Sequence, residues 1–270
     1  MTRPYAEVIG DPIAQSKSPI IHGFWAEALN LDVEYRRHRV LAEELSGYFA
    51  ARVADPAWRG CNITVPHKVA ALDHVADPGD VRASIGAINT VFRQPDGTLA
   101  GTNTDAAGFW TPIAGLDLAG RPVTVVGAGG AARAILWALA RVGAGPVTIL
   151  NRNVLKAAAL LASFGLKGQA LPLGTAAPPA ALLVNASSLG MTGQPPLDLD
   201  LSAVPDDAVV YDIVYAPLET PLLAAARARD LDTVDGLEML VGQAAVAFAI
   251  LFGVEPPRDR DDELRALLTA

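Results

Sequence analysis

The chain contains very little cysteine. Cys61 is the one cysteine among 270 residues, so no disulfide can form within the chain. The sequence also opens without a basic segment followed by an apolar one, which is the pattern of a secretory signal. Both features fit a reducing compartment, and we therefore expect a cytoplasmic protein.

Basic charge and long apolar runs are scarce as well. Lys and Arg number 21 against 29 Asp and Glu, giving a net charge of −8. Such a balance argues against nonspecific binding to nucleic acid or to acidic membranes. The apolar stretch over residues 244–254 is shorter than a bilayer span and indicates a buried helix. We expect small-molecule ligands, no nucleic-acid or membrane partner and no metal site.

A strand, a tight turn and a helix are predicted around residues 123–139. A β-branched run at 123–126 is followed by Gly127-Ala128-Gly129-Gly130-Ala131 and an alanine-rich helix. Gly127 permits a sharp turn, Gly129 permits close approach of a pyrophosphate, and the helix N-terminus faces the anion. A second β run at 146–150 completes a βαβ unit. The spacing alone is equally compatible with a purely structural turn.

The end of that second strand bears on the choice of cofactor. An NAD enzyme tends to carry an acidic residue there, whereas this chain has Asn151-Arg152-Asn153 with Lys156 one turn later. A guanidinium suits a 2′-phosphate, and a second cation nearby reinforces it. The pattern favours NADP, although exposed cations are also common on any surface.

Three other stretches carry candidate chemistry, each with a structural alternative. Ser18 can be a helix N-cap, or Ser16 and Ser18 together can bind a carboxylate at the helix N-terminus. Lys68 is expected to start a helix after the strand that ends at Pro66, a position the helix dipole disfavours for a cation. Asp105 can be an N-cap or a catalytic carboxylate paired with Lys68.

The remaining pattern predicts an α/β protein with a doubly wound parallel sheet. Strands are expected at residues 5–9, 33–40, 85–92, 99–101, 181–185 and 209–213, and helices at 42–53, 154–164, 219–228, 236–252 and 258–268. The arginines at 36, 37 and 39 are interpreted as a solvated face. The last helix is expected to pack on the first domain.

With these motifs in order, the sequence resembles the shikimate dehydrogenases. The resemblance is carried by residues 10–13, 16–19, 62–68, 86–90, 103–105, 127–132, 151–152, 185–191, 211–218 and 235–245. It implies NADPH-dependent reduction of 3-dehydroshikimate to shikimate. It also implies two domains with a cleft between them: a substrate domain at 1–104 joined by 237–270, and a Rossmann NADP-binding domain at 105–236.

The resemblance also implies roles for individual residues. Ser16, Ser18 and Tyr215 would hold the substrate carboxylate. The ring hydroxyls would be bound by Thr64, Asn89, Asp105 and Gln243, with Asn62 close by. Lys68 would be the acid/base, paired with Asp105. The cofactor would contact the glycine-rich turn, the segment from Asn151 to Lys156, Ser187, Gly236 and Met239. A monomer or a homodimer is expected.

Several positions depart from the family pattern. The family often has Thr at 153 and 187, Arg at 156, and Gly at 106 and 238, where this chain has Asn153, Ser187, Lys156, Ala106 and Glu238. The changes at 153 and 156 could loosen the preference for NADP, and Glu238 adds a carboxylate near an anion site. The alternatives are an NAD-using quinate/shikimate dehydrogenase and a noncatalytic ligand-binding relative.

Overall fold

A computed structural model describes residues 3–77 and 79–270. The strands are β1 (Tyr5–Gly10), β2 (Glu34–Arg39), β3 (Trp58–Ile63), β4 (Thr90–Arg93), β5 (Leu99–Thr102), β6 (Val123–Val126), β7 (Val147–Asn151), β8 (Gly168–Pro172), β9 (Leu182–Asn185), β10 (Val209–Asp212) and β11 (Asp232–Val234). The α-helices are α1 (Ser18–Ala28), α2 (Leu45–Val53), α3 (Val81–Ser84), α4 (Asp105–Trp110), α5 (Gly130–Arg141), α6 (Val154–Ser163), α7 (Pro221–Arg227), α8 (Gly236–Phe252) and α9 (Asp261–Thr269).

The chain divides into two compact units. Unit 1 comprises the described residues up to Asp105 together with Val241–Ala270, and unit 2 comprises Ala106–Leu240. The second boundary falls within α8, so one continuous helix contributes to both units.

Unit 1 is built on a five-stranded mixed sheet in the order β2-β1-β3-β4-β5. β1 is parallel to β2 and β3, whereas β4 is antiparallel to both of its neighbours. Ala6 of β1 packs against Ala247 and Leu251 of α8, and α1 buries Ile21 and Trp25 completely. The antiparallel pair β4–β5 is the expected hairpin across residues 95–97.

A buried carboxylate on this sheet is paired with a partly exposed cation. Glu7 on β1 is 1% exposed and receives two hydrogen bonds, of 2.7 and 3.0 Å, from the guanidinium of Arg52. The hydroxyl of Tyr48 donates a third, of 2.9 Å. Because an unpaired carboxylate is costly to bury, these donors are what makes Glu7 tolerable at this depth. Burial raises the pKa of the neighbouring Cys61 thiol, which keeps it protonated and unreactive.

Unit 2 contains a six-stranded, all-parallel sheet in the order β11-β10-β9-β6-β7-β8. In chain order, the strands run outward from β6 to one edge and then from β9 to the other. This doubly wound order confirms the predicted fold class and has its switch point between β6 and β9. The central strands are completely buried, as a parallel sheet requires, and α5 covers one face with Ile135, Leu136 and Leu139.

Some local predictions were wrong. Residues 85–89 do not continue the strand that begins at Thr90; a short helix and a turn precede it, and Ile85 and Ile88 are buried without pairing in a sheet. The sequence interpretation also missed β8 and β11. Both are edge strands, and their burial patterns lack the continuous apolar run that identified the central strands.

Candidate functional site

The topology of unit 1 brings four loops to one edge of its sheet. β1 and β3 are parallel neighbours, so the segments that follow Gly10 and Ile63 leave from the same edge. β4 is antiparallel and begins at that edge with Thr90 opposite Asn62, and β5 returns to it at Thr102. Strand direction alone therefore brings four chain segments together at this edge. These segments contain the predicted residues Ser16, Thr64, Asn89 and Asp105.

Ser16 lies in the loop after β1, and Ser18 begins α1. Both are buried, and their Oγ atoms are 3.2 Å apart. The prediction that Ser18 caps a helix was wrong: Ser18 is the first residue of α1, and Lys17 at the N-cap position makes no side-chain capping bond. The two hydroxyls instead contact each other at the start of α1, where the Ser18 N–H donates to Oγ of Ser16 at 3.3 Å. Arg37 of β2, interpreted from sequence as a solvated residue, donates a 2.8 Å bond to the carbonyl of Ser16 and supports this loop.

Thr64 and Lys68 lie in the turn after β3. The Thr64 N–H donates to the carbonyl of Ile9 at 2.9 Å, which fixes the turn to the end of β1. Lys68 does not start a helix, as the sequence suggested, because a turn covers residues 65–69 and a 3₁₀ segment begins only at Ala70. The expected dipole penalty on Lys68 therefore does not apply.

Lys68 and Asp105 form an ion pair. Nζ of Lys68 donates to Oδ2 of Asp105, a carboxylate that is 4% exposed. Asp105 is the first residue of α4, and its own N–H is held at 2.9 Å by Oδ1 of Asn103. Its carboxylate is thus engaged by a cation rather than by the start of the helix.

Asn89 holds the other oxygen of Asp105. Its Nδ2 donates at 2.8 Å to Oδ1 of Asp105 and at 2.8 Å to Oγ1 of Thr104. Its Oδ1 accepts from the backbone N–H of Thr104 at 2.7 Å. Since a backbone N–H can only donate, this contact fixes which end of the amide faces Asp105. Asn89 therefore presents a donor to a carboxylate whose second oxygen faces Lys68.

Asn62 connects this group to residues that the sequence did not identify. Its Nδ2 donates to Oγ1 of Thr90 at 2.9 Å, and its Oδ1 accepts from the Tyr35 hydroxyl at 2.6 Å. The Thr90 hydroxyl in turn donates to Oδ1 of Asn89 at 3.1 Å. Thr90 directly follows Asn89 and could have been suspected from that, but Tyr35 lies in an arginine-rich strand and carries no sequence signal.

Gln243 is also part of this group. Its Oε1 accepts from Nδ2 of Asn89 at 3.3 Å and from Oγ1 of Thr104 at 3.4 Å. Unit 1 thus joins Asn62, Lys68, Asn89, Asp105 and Gln243 by direct contacts, with Ser16, Ser18 and Thr64 on loops at the same edge. Tyr215 belongs to unit 2, where it is half-buried in the segment after β10.

In unit 2, the glycine-rich turn lies at the switch point of the sheet. Gly127 has φ of 104°, and a Cβ there would lie 3.0 Å from the carbonyl oxygen of Ala186. A Cβ on Gly129 would meet no atom within 4 Å, so this backbone borders open space at the N-terminus of α5. No side chain caps that helix. Ala132, in the first turn of the helix, is completely buried. An uncapped helix N-terminus behind bare glycine backbone fits a pyrophosphate.

The segment after β7 presents cations to solvent. Arg152 and Lys156 are exposed at the carboxyl end of the strand. Asn153 is the N-cap of α6, where its Oδ1 accepts from the Lys156 N–H at 2.9 Å, and Asn151 donates to the carbonyl of Asn153 at 2.8 Å. Asn153, which departs from the family pattern, therefore has a local structural role as the cap of α6. The side chains of Arg152 and Lys156 are exposed and accessible to an anion.

Ser187 follows β9, on the other side of the switch point. Its hydroxyl donates to Oδ1 of Asn185 at 2.7 Å. Nδ2 of Asn185 donates in turn to the completely buried Asp212 at 2.9 Å. Burial raises the pKa of Asp212, against the hydrogen bonds from Thr220, Val214 and Asn185, which favour its charged form. These bonds define the loops at the carboxyl edge of β9 and β10.

Gly236, Glu238 and Met239 at the start of α8 lie in three different environments. A Cβ on Gly236 would lie 2.5 Å from the backbone of Ile213 and Val214, so only glycine permits this approach. Met239 is 6% exposed and belongs to the apolar core of unit 2. Glu238 is exposed, so its carboxylate is not forced into an anion site.

The described part of the chain holds no group of three or more His, Cys, Asp and Glu residues suited to a metal ion. Within the same residues, no helix combines the length and the apolar character needed to cross a membrane.

Family models match three segments of the chain. The shikimate dehydrogenase substrate binding domain matches residues 8–91, the shikimate / quinate 5-dehydrogenase model matches residues 112–177, and the shikimate 5′-dehydrogenase C-terminal domain matches residues 236–261. The first match lies in unit 1 and the second in unit 2.

Individual relatives extend these matches to nearly the whole length. The chain is 68% identical to a shikimate dehydrogenase (NADP(+)) from Sphingopyxis alaskensis over 99% of this chain and 97% of that one. Among solved structures, shikimate 5-dehydrogenase from Thermus thermophilus in complex with NADP(H) and shikimate gives a TM-score of 0.85 at 37% identity, covering 98% of this chain and 99% of that one. Quinate dehydrogenase from Corynebacterium glutamicum in complex with NAD gives 0.86 at 30% identity, with 98% and 99% covered.

Proposed function

Since the chain belongs to the shikimate dehydrogenase family, we propose that it catalyses the reversible, NADPH-dependent reduction of 3-dehydroshikimate to shikimate. The observation that carries this proposal is the Lys68–Asp105 pair, a cation held by a buried carboxylate that Asn89 holds from its other side. The close relative named for the NADP enzyme supports the choice of reaction and of cofactor.

The reaction needs a cationic donor at the substrate carbonyl. The nicotinamide, when bound, supplies a hydride to the carbonyl carbon, and the π electron pair of the carbonyl moves to its oxygen. The Lys68 ammonium donates a hydrogen bond to that oxygen and stabilises its developing negative charge. The proton that completes the hydroxyl comes from Nζ of Lys68 or from a water that Lys68 orients. Asp105 keeps the ammonium in place through Oδ2.

The remaining polar residues of unit 1 bind the substrate in this proposal. Ser16 and Ser18 hold its carboxylate, since two buried hydroxyls that lie 3.2 Å apart can both donate to one anion. Thr64, Asn89, Asp105 and Gln243 bind the ring hydroxyls, with Asn62 in support. This set combines donors and acceptors, as recognition of a polyol requires.

Unit 2 binds NADP(H) in this proposal. The backbone at 127–131 and the N-terminus of α5 hold the pyrophosphate, and Arg152 with Lys156 holds the 2′-phosphate. Asn151 and Asn153 shape that segment, while Ser187, Gly236 and Met239 border the nicotinamide side. This proposal divides the substrate and cofactor functions between the two units.

Quinate with NAD is the second candidate. The structural similarity to a quinate dehydrogenase in complex with NAD is the observation that favours this candidate. The absence of an acidic residue between Asn151 and Asn153 weighs against NAD. A noncatalytic binding function would not require the Lys68–Asp105 pair, and that pair is intact.

Steady-state kinetics test these candidates directly. We expect kcat/KM for nicotinamide reduction to be highest with shikimate and NADP among the four combinations of shikimate or quinate with NADP or NAD. Comparable or higher values with quinate or NAD would support the second candidate function, oxidation of quinate with NAD. Lys68→Ala should lower turnover by at least ~10²-fold while shikimate still binds. Unchanged turnover in this variant would contradict the mechanism.

Two further expectations accompany the proposal. The single, buried cysteine fits a reducing cytoplasm, where NADPH is available. The protein should be a monomer or a homodimer, which sedimentation velocity would decide.

A further inference from the structure

Five polar side chains of unit 1 form a hydrogen-bonded series that ends at the Asp105 carboxylate. The Tyr35 hydroxyl donates to Asn62, Asn62 to Thr90, Thr90 to Asn89, and Asn89 to Oδ1 of Asp105, at 2.6, 2.9, 3.1 and 2.8 Å. Each member donates toward the carboxylate. Aligned donors polarise one another, so the series strengthens the final bond to Asp105.

The direction of the series is fixed by backbone groups at two points. Nδ2 of Asn62 also donates to the carbonyl of Asn89 at 3.3 Å, and a carbonyl can only accept. Oδ1 of Asn89 accepts from the Thr104 N–H, which can only donate. With both amides oriented, the Thr90 hydroxyl must accept from Asn62 and donate to Asn89.

The far end of the series is held by aromatic packing. The Tyr35 ring stacks on His22, with centroids 3.9 Å apart and planes 6° from parallel. His22 is 1% exposed and lies among aromatic rings that include Phe248 of α8. Burial raises the pKa of Tyr35 well above its ordinary value, so its hydroxyl remains a donor.

From this geometry we infer that Tyr35 and Thr90 are positioning residues of the catalytic site, acting through Asn62 and Asn89 to fix the Asp105 carboxylate and, with it, the Lys68 ammonium. The inference rests on the proposed function and deepens it. Neither residue needs to contact substrate or cofactor. Thr90 is completely buried, so water cannot replace its hydroxyl without a rearrangement.

The test compares Tyr35→Phe with Tyr5→Phe. Tyr5 lies on the neighbouring strand and also donates a 2.6 Å hydrogen bond, but to Asp55, outside the series. With shikimate and NADP, Tyr35→Phe should lower kcat by about 10-fold, because even small misplacement of a catalytic group is expensive, while KM for NADP is unchanged. Tyr5→Phe should keep the wild-type kcat. Melting temperatures of both variants, and assays well below them, separate positioning from loss of stability.

Thr90 supplies the second arm. Thr90→Val removes the hydroxyl at nearly constant volume and should lower kcat, whereas Thr90→Ser keeps the hydroxyl and should restore it. Since Tyr35 and Thr90 act in one series, Tyr35→Phe combined with Thr90→Val should lose little more than Thr90→Val alone. An unchanged kcat in Tyr35→Phe, or fully multiplicative losses, would overturn the inference while the wild type remains active. An inactive wild type would overturn the proposed function and this inference together.

Discussion

Asn89 donates a 2.8 Å hydrogen bond to one oxygen of Asp105, and Lys68 donates to the other. The buried carboxylate is therefore held at both ends, by a neutral amide and by a cation. An arrangement of this kind limits where the ammonium can lie, which is what a donor aimed at one substrate oxygen requires.

The charge of Asp105 can be removed with little change of shape. In Asp105→Asn the ammonium of Lys68 loses its anionic partner, and we expect kcat for shikimate oxidation to fall by about 10²-fold or more, with KM for NADP little changed. The control is Asp73→Asn, which removes an exposed carboxylate paired with Arg82 in the same unit. Equal rates in the two variants would contradict a catalytic role for Asp105.

The cations after β7 predict cofactor preference. Arg152→Ala should raise KM for NADP by about 10-fold or more and leave KM for NAD nearly unchanged, because only NADP carries the 2′-phosphate. Lys156→Ala should act in the same direction with a smaller effect. Lys167→Ala removes an exposed cation of the same unit and should change neither constant. If Arg152→Ala weakened NAD equally, the phosphate assignment would be wrong.

The pair of Glu7 and Arg52 predicts a stability effect. In Arg52→Met the carboxylate of Glu7 stays buried without its cation, and loss of one partner from a buried pair typically costs about 3–5 kcal/mol of unfolding free energy. Arg39→Ala breaks the exposed pair with Asp11 in the same unit and should have a much smaller effect. Urea denaturation of both variants measures the difference.

His22 predicts a pH dependence of stability. Burial lowers its pKa to about 3, whereas the unfolded chain protonates this residue near the ordinary value of about 6.5. The unfolded state therefore binds the extra proton as pH falls from 6.5 toward 3, and stability is lost across that window. At pH 5 the loss attributable to His22 is about 2 kcal/mol.

The variant His22→Phe isolates this effect, since the residue already packs among aromatic rings. The difference in unfolding free energy between variant and wild type should be constant above pH 7 and should shift in favour of the variant between pH 6.5 and pH 4. A difference that does not change with pH would contradict the prediction.

The parts of the fold that could be predicted are those in which sequence pattern and burial coincide. The β-branched run at 123–126, the glycine-rich turn and the alanine-rich helix identified the centre of unit 2, because a central parallel strand must be apolar throughout. The sequence did not predict the edge strands β8 and β11. Each pairs with a neighbour on one side only and is partly exposed, so it lacks a continuous apolar run. Residues 85–89 resemble a strand in sequence because buried turn residues and strand residues share the same apolar composition.

The candidate site divides in a similar way. Lys68 and Asp105 were paired from sequence by their chemistry, and the structure places them in contact. Tyr35, Thr90 and Thr104 were not identified, because their importance lies in hydrogen bonds across strands that are distant in sequence. The two alternatives for Ser18 also needed the structure: the position of the helix start, one residue earlier than expected, decides against the cap.

Unit 1 is discontinuous in the chain, whereas unit 2 is a single segment that ends within α8. On the ribosome, the first 105 residues emerge without the part of α8 on which Ala6 packs, and that part follows only after all of unit 2. Unit 2 can complete its sheet while unit 1 still waits for its last 30 residues. The part of unit 1 that carries Lys68 and Asp105 is thus synthesised first, but it cannot complete its packing against α8 until after unit 2 has been made.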